Sequence, residues 1–254
     1  MTVALHHVVD GPENAPVLVL AGSLGSTTEM WRPQLPALTA RFRVVRVDLR
    51  GHGGSPPTDG PYRISELAGD VLALLDRLDL RRVHCCGLSL GAMVGMYLAS
   101  EAPERIGRLA LCCTSAHFPD PSVWHDRIAA VEAGGTAGIA PAVVGRWFTP
   151  GWAAAHPDVV AEAVAMVASI SDAGYRGCCA ALAAWDHRDR LPAITAPTLV
   201  VAGADDEATP VEPHAATIAA GIPGARLEVV PGAHLANIES AEAVTAVLVE
   251  HLDG

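Results

Sequence analysis

A serine with a glycine two residues away on either side, Gly87-Leu88-Ser89-Leu90-Gly91, stands where an apolar run ending at Cys86 gives way to a run of small and apolar residues, Gly91 to Ser100. The first run reads as a buried strand and the second as a helix. A chain that passes straight from strand to helix at one residue forces that residue into a strained backbone conformation. Its neighbours two positions away must then lack bulk. The outcome is a hydroxyl raised above the end of a sheet, beside the positive end of a helix dipole. This turn restricts the chain to folds in which a strand is followed at once by a helix packed on its own sheet.

Half of the 254 residues are apolar, enough for one large domain or one domain carrying an insertion. All 17 basic residues are arginine and the net charge is -11. That balance argues against nucleic acid or an anionic membrane as partner, and any anionic substrate needs a local arginine. No apolar run is long enough to span a bilayer. Met1 to Asp10 alternates like a strand and lacks the basic start and apolar core of a secretory signal, so the expected location is the cytoplasm. The 6 cysteines form adjacent pairs, Cys85-Cys86, Cys112-Cys113 and Cys178-Cys179, with no Cys-x-x-Cys spacing. They read as small buried hydrophobes in a reducing compartment, and no metal is expected.

Val3–Val9 reads as an outer strand, and Pro16–Ala21 as a strand buried on both faces, running into the small-residue loop Gly22-Ser23-Leu24-Gly25-Ser26. Arg43–Asp48 is a further strand, followed by a glycine-rich bend in which His52 reads as structural, holding a turn. Ile64 to Leu78 has helical spacing, Arg108–Cys113 is strand-like, and residues 117–191 lose strand character altogether. Helical segments broken by Gly134-Gly135, Pro141, Pro150-Gly151 and Pro157 fill that stretch. Strands return at Pro197–Ala202 and Arg226–Val230, each followed by a helical segment. Alternating strands and helices on both sides of the insertion predict an α/β fold: a mostly parallel central sheet with helices on both faces. Its core is residues 1–116 and 192–254, and residues 117–191 form a helical lid over the carboxyl end of the sheet, where ligands bind.

Three chemical groups fall at the ends of separate strands: Ser89, then Asp205 or Asp206, then His234. A serine hydroxyl is a poor nucleophile until an imidazole accepts its proton, and the imidazole needs a carboxylate to fix its tautomer. The order Ser…Asp…His on an alternating strand–helix chain is that of an α/β-hydrolase.

The chain resembles the α/β-hydrolases over its length, and more narrowly the 3-oxoadipate enol-lactonases of aromatic catabolism. The narrower likeness rests on Gly22-Ser23-Leu24-Gly25 with Met30-Trp31, Gly87-Leu88-Ser89-Leu90-Gly91, Arg146-Trp147-Phe148-Thr149, Gly174 to Leu182, and Ala233 to Glu239. It departs from the lactonases at Gly22, where they carry asparagine. The resemblance selects Asp206 over Asp205, because Gly203, Asp206 and Pro210 match G-x-x-D-x-x-x-P. It implies a catalytic Ser89, Asp206 and His234, with the N–H groups of Leu90 and Ser23 as the oxyanion hole and Leu24 next in line. The implied reaction opens a small carboxylated enol-lactone without metal or organic cofactor. The substrate carboxylate would meet Arg146, with Trp147 shaping the pocket wall and Arg176 as the second cation. Other activities on this scaffold are a general carboxylesterase, a perhydrolase-like enzyme or a carbon–carbon bond hydrolase. A ligand-binding receptor is the remaining alternative.

Overall fold

The computed structural model describes residues 2–254, and their seven strands form one sheet in the order β1-β3-β2-β4-β5-β6-β7. The strands are β1 (His7–Asp10), β2 (Val17–Ala21), β3 (Arg43–Val47), β4 (Val83–Leu88), β5 (Ile106–Cys112), β6 (Thr198–Gly203) and β7 (Arg226–Val230). Only β1 is antiparallel to its neighbour. The helices in chain order are α1 (Leu35–Leu38), α2 (Ile64–Arg77), α3 (Leu90–Glu101), α4 (Ser122–Val144), α5 (Pro150–Ala155), α6 (Pro157–Ala168), α7 (Asp172–Ala183), α8 (Ala216–Gly221), α9 (Ala236–Glu239) and α10 (Ala241–Asp253).

The apolar content of each strand sets its place in the sheet. Every residue of β6 is buried, as are all but the first of β2, whereas β7 at the edge buries only Val230. Strands covered by helices on both faces must be apolar on both, and edge strands need not be. The outer strand is shorter than the sequence suggests. Val3 N–H donates to Asp70 and His6 N–H to Ser55 Oγ, so side chains take the amides that would otherwise form a ladder.

The chain order reverses beside β2: β3 lies on one side and β4 on the other. The loops leaving β2 and β4 therefore diverge around a crevice at their carboxyl ends, the usual ligand position in such sheets. Helices α4 to α7 occupy the stretch between β5 and β6. Their ends are pinned together at a neck. His117 bridges to Asp186, His187 N–H donates to the Ala116 carbonyl at 2.8 Å, and Trp185 Nε1 to the Ser115 carbonyl at 2.8 Å.

Within α4 the break falls at Gly135, with φ 68° and ψ 174°, where a side chain would be strained. Asp172 receives the Thr136 N–H there and starts the second rod. Pro141 is not a break. It lies one turn into that rod, loses only the bond its missing N–H would make near the rod's start, and the helix continues to Val144. All six cysteines are free and buried. Burial pushes the Cys85 and Cys179 thiols up to about 12, so they stay protonated.

At the neck, His187 stacks on Trp185 with ring centroids 4.7 Å apart and meets Ser100 Oγ through Nε2 at 2.9 Å. Burial pushes its pKa from 6.5 to about 4. The folded protein thus refuses a proton that the unfolded chain accepts, and stability falls as pH drops from 6.5 toward 4. Chemical denaturation at pH 7 and pH 4.5 should show this site costing about 2–3 kcal/mol on acidification. In His187→Asn that share of the acid-induced loss disappears, although the variant is less stable at both pH values.

Candidate active site

Ser89 sits between β4 and α3 with φ 53° and ψ -113°, a conformation L-residues rarely adopt. Its N–H donates to the Cys112 carbonyl at 2.9 Å, and its own carbonyl accepts from Thr114 Oγ1 at 2.9 Å. Neighbouring strand ends thus hold the strained turn in place. Both flanking glycines are sterically required: a Cβ on Gly87 would strike the backbone of Gly91 and Ala92, and one on Gly91 the carbonyl of Ala21. That close approach lets Gly91 N–H reach the Gly22 carbonyl at 3.0 Å, tying the serine turn to the loop after β2.

That loop is braced from behind. His52 is fully buried; its Nε2 accepts the Gly25 N–H at 3.0 Å and its Nδ1 lies 3.2 Å from the Arg50 carbonyl. Burial pushes its pKa down, which keeps Nε2 unprotonated as an acceptor. The structural reading of His52 holds, and it acts on the loop after β2. Within this loop the Ser23 N–H is directed to Met30 Sδ at 3.3 Å. Leu24 N–H has no acceptor among the described residues, and Leu90 N–H opens α3, where no intrahelical acceptor exists. The Leu24 and Leu90 amides are thus without an acceptor among the described residues, while the expected Ser23 amide is engaged only by the Met30 sulfur. Met30 Sδ and Ser26 Oγ also fill the space beside Gly22, so a larger residue there requires those two side chains to shift.

Asp206 follows β6 and is buried. Its Oδ1 accepts the Ala208 and Thr209 N–H groups at 2.8 and 3.0 Å, and its Oδ2 accepts the Thr209 hydroxyl at 2.7 Å and lies 2.9 Å from His234 Nδ1. Burial alone would raise its pKa. The His234 charge and hydrogen bond, with the Thr209 donors, overcome burial and hold the carboxyl far below the usual range. Asp205 is exposed and has no such contact. His234 follows β7 on a loop stitched to the helices above the sheet. Leu235 N–H donates to the Trp147 carbonyl at 2.9 Å, and Glu239 accepts Ala233 N–H at 3.0 Å together with the Thr149 N–H and hydroxyl.

Ser89 and His234 line one cavity of about 250 Å³, with Ser23 and Leu24 on one wall and Trp124, Arg127, Trp147 and Tyr175 from the helices above. No hydrogen bond joins Ser89 to His234 among the described residues, and such contacts commonly tighten only around a ligand. Of the sequence candidates, Arg146 reaches the cavity rim but is exposed and donates to the Glu207 carbonyl at 3.1 Å. Trp147 is a buried wall residue. Arg176 is paired with Glu132 at 2.9 Å and does not line the cavity.

Arg127 was not among those candidates. Its guanidinium donates to Tyr175 Oη at 3.0 Å and lies 5.9 Å from the Trp124 ring centroid. Among the described residues it has no carboxylate partner. Burial pushes the Tyr175 phenol up to about 12 despite Arg127, so the phenol is neutral and supplies the guanidinium with no counter-charge; Asp120 lines the same cavity without pairing to it. The signal in the sequence was an arginine one turn from Trp124 on an otherwise apolar helix face. A second serine–histidine contact, Ser100 with His187, lines no part of this cavity.

The alpha/beta hydrolase fold family matches residues 15–241. The 3-oxoadipate enol-lactonase 2 of Acinetobacter baylyi is 36% identical over 241 residues, covering 95% of this chain and 90% of its own. The putative carbamate hydrolase RutD of Variovorax paradoxus is 36% identical over 212 residues, covering 81% of this chain and 80% of its own. Among solved structures, the enol-lactonase of Burkholderia xenovorans superposes with a TM-score of 0.97 at 40% identity, covering 99% of this chain and 97% of that one. With the family matched on both sides of the helical insertion and its hydrolase relatives aligned nearly end to end, the chain belongs to the α/β-hydrolase fold family and is a hydrolase.

Proposed function

We propose that this hydrolase opens a small carboxylated enol-lactone, with 3-oxoadipate enol-lactone as the substrate. The observation that carries the reading is Arg127: a cation on the cavity of Ser89 and His234 with no anionic partner among the described residues. A cavity walled by tryptophan and tyrosine makes an unpaired charge costly, so an anionic ligand is the natural complement. The carboxylate role passes from Arg146 to Arg127 because Arg146 is exposed and already bonded to Glu207. The named relatives from Acinetobacter and Burkholderia support the same substrate class.

In this mechanism Ser89 attacks the lactone carbonyl as His234 takes its proton. Asp206, held ionised, keeps Nδ1–H of His234 engaged so that Nε2 faces the serine. The developing oxyanion lies between the amides of Leu90 and Leu24, preset by the Gly91–Gly22 and Gly25–His52 contacts. Collapse expels the ring oxygen as an enolate. His234 then activates water to release the acyl group from Ser89. Helices α4 to α7 serve as the lid, and Trp124 and Trp147 shape the space around the ring.

A substrate panel tests this directly. Purified protein should turn over the enol-lactone with kcat/KM far above that for a neutral ester of similar size, and Ser89→Ala should abolish both activities. Turnover of a simple carbamate without lactone turnover, the activity named for the Variovorax relative, would overturn the substrate assignment while leaving the hydrolase itself intact.

Arg127→Gln separates substrate binding from chemistry. Loss of a charge-assisted hydrogen bond to the carboxylate costs about 1.5–3 kcal/mol. KM for the lactone should therefore rise about 10- to 150-fold, while KM for the neutral ester stays within about threefold. An equal rise for both substrates would remove Arg127 from the carboxylate site.

A further inference from the structure

The cavity holds a second histidine that the mechanism above does not use. His214, just before α8, lines the space shared by Ser89 and His234 and also a smaller neighbouring cavity. Its Nδ1 lies 2.7 Å from Ser115 Oγ, and Phe118 packs against its ring with centroids 5.9 Å apart. Ser115 decides its tautomer. The serine hydroxyl has one proton, which goes to the His117 carbonyl at 2.6 Å, and the same oxygen accepts the His117 N–H at 3.0 Å. Toward His214 it can therefore only accept, so Nδ1 carries the imidazole proton and Nε2 is a bare lone pair.

Ser115 lines the smaller cavity and not the catalytic one, while the His214 ring lines both, so the nitrogen turned away from Ser115 is the one available to the catalytic cavity in the reading that follows. Nε2 has no partner among the described residues. Burial lowers the pKa of the ring more than Asp206 raises it, with His117 adding to the decrease, so the ring is neutral near pH 7.

Enol-lactone opening leaves a proton-transfer problem that Ser89, His234 and Asp206 do not solve. His234 must hand the serine proton to the departing enolate oxygen, since it has to be neutral again to activate water. The product is then an enol, whose O–H proton must still be moved to carbon. We propose that His214 is a second acid–base group of the reaction, carrying that proton from the enol oxygen to the adjacent carbon. Nε2 takes the O–H proton as an oxygen pair forms the C=O bond, and the former C=C pair then takes the proton back from Nε2 to make the new C–H bond. Protons and electrons balance without a co-reactant, and a single base positioned on one face can serve both atoms. This inference rests on the lactonase reading. The carbon is protonated on the face that His214 presents, so the ketone forms with one configuration.

The test is hydrolysis of the enol-lactone in D2O, with a rapid quench and oxidative cleavage of the product at its ketone carbon to give deuterated succinate, whose chirality is then measured. The unmodified protein should place deuterium in predominantly one configuration, and His214→Leu should give an equal mixture of both. The readout is configurational and does not depend on how fast the variant turns over. Should His214→Leu not fold, His214→Asn, which retains a donor for Ser115, carries the same expectation. An equal mixture from the unmodified protein, or a single configuration retained by the variant, would overturn the role of His214. If the unmodified protein fails to consume the lactone, the lactonase reading falls first and this inference falls with it.

Discussion

Everything at the carboxyl end of this sheet depends on the contact between two backbones at Gly91 and Gly22. Helix α3 starts so close to β2 that a single Cβ on Gly91 would strike the Ala21 carbonyl. The closeness gives the hydrogen bond from Gly91 N–H to the Gly22 carbonyl. One bond of this kind contributes only about 0.5–1.5 kcal/mol, and its importance is geometric. It fixes the loop carrying the Leu24 amide relative to the turn carrying Ser89. The strain at Ser89 is tolerable because the Cys112 carbonyl, Thr114 and the Gly22 loop all hold the same few residues.

A similar stitching sets the histidine. His234 is held through its ring by Asp206, and through its backbone neighbours by Trp147 and Glu239. Trp147 therefore both bonds the histidine loop and walls the cavity. Movement in the helices above the sheet is felt at His234 without any intervening element. His52 does the corresponding work for the loop after β2, as a neutral acceptor rather than as a reactive group.

Much of the fold was legible in the sequence because its signals are local. An apolar run such as Pro16–Ala21 reads as a strand of a covered sheet, Arg226–Val230 reads as a strand by its β-branched residues, and the helical spacing of Ile64 to Leu78 survives in α2. The serine turn could be read because steric demand on Gly87 and Gly91 acts over two residues. What could not be read depends on contacts distant in sequence. The choice between the Ser23 and Leu24 amides turns on where Met30 Sδ lies. Whether Arg127, Arg146 or Arg176 meets an anion turns on which of them is already satisfied, by Tyr175, Glu207 or Glu132. Val3 to His6 have strand chemistry, but Asp70 and Ser55 take their amides. Pro141 looked like a break and is not one, because its position within the second rod of α4 makes its missing N–H inexpensive. His214 carried no motif at all, and its tautomer depends on a serine 99 positions away in sequence.

The pinned neck at His117 and Asp186 gives the helical segment an independence of its own. Because its two ends meet at the sheet, the cost of closing so long a loop is borne at the neck, and that cost changes only slowly with loop length. Residues between the ends can lengthen, shorten or be exchanged while β5 and β6 keep their register. Heredity can thus revise what enters the cavity so long as Trp147 and Thr149 keep their hold on the histidine loop: the segment above behaves as a replaceable cartridge with two fixed catches, and the sheet below as the instrument that reads it.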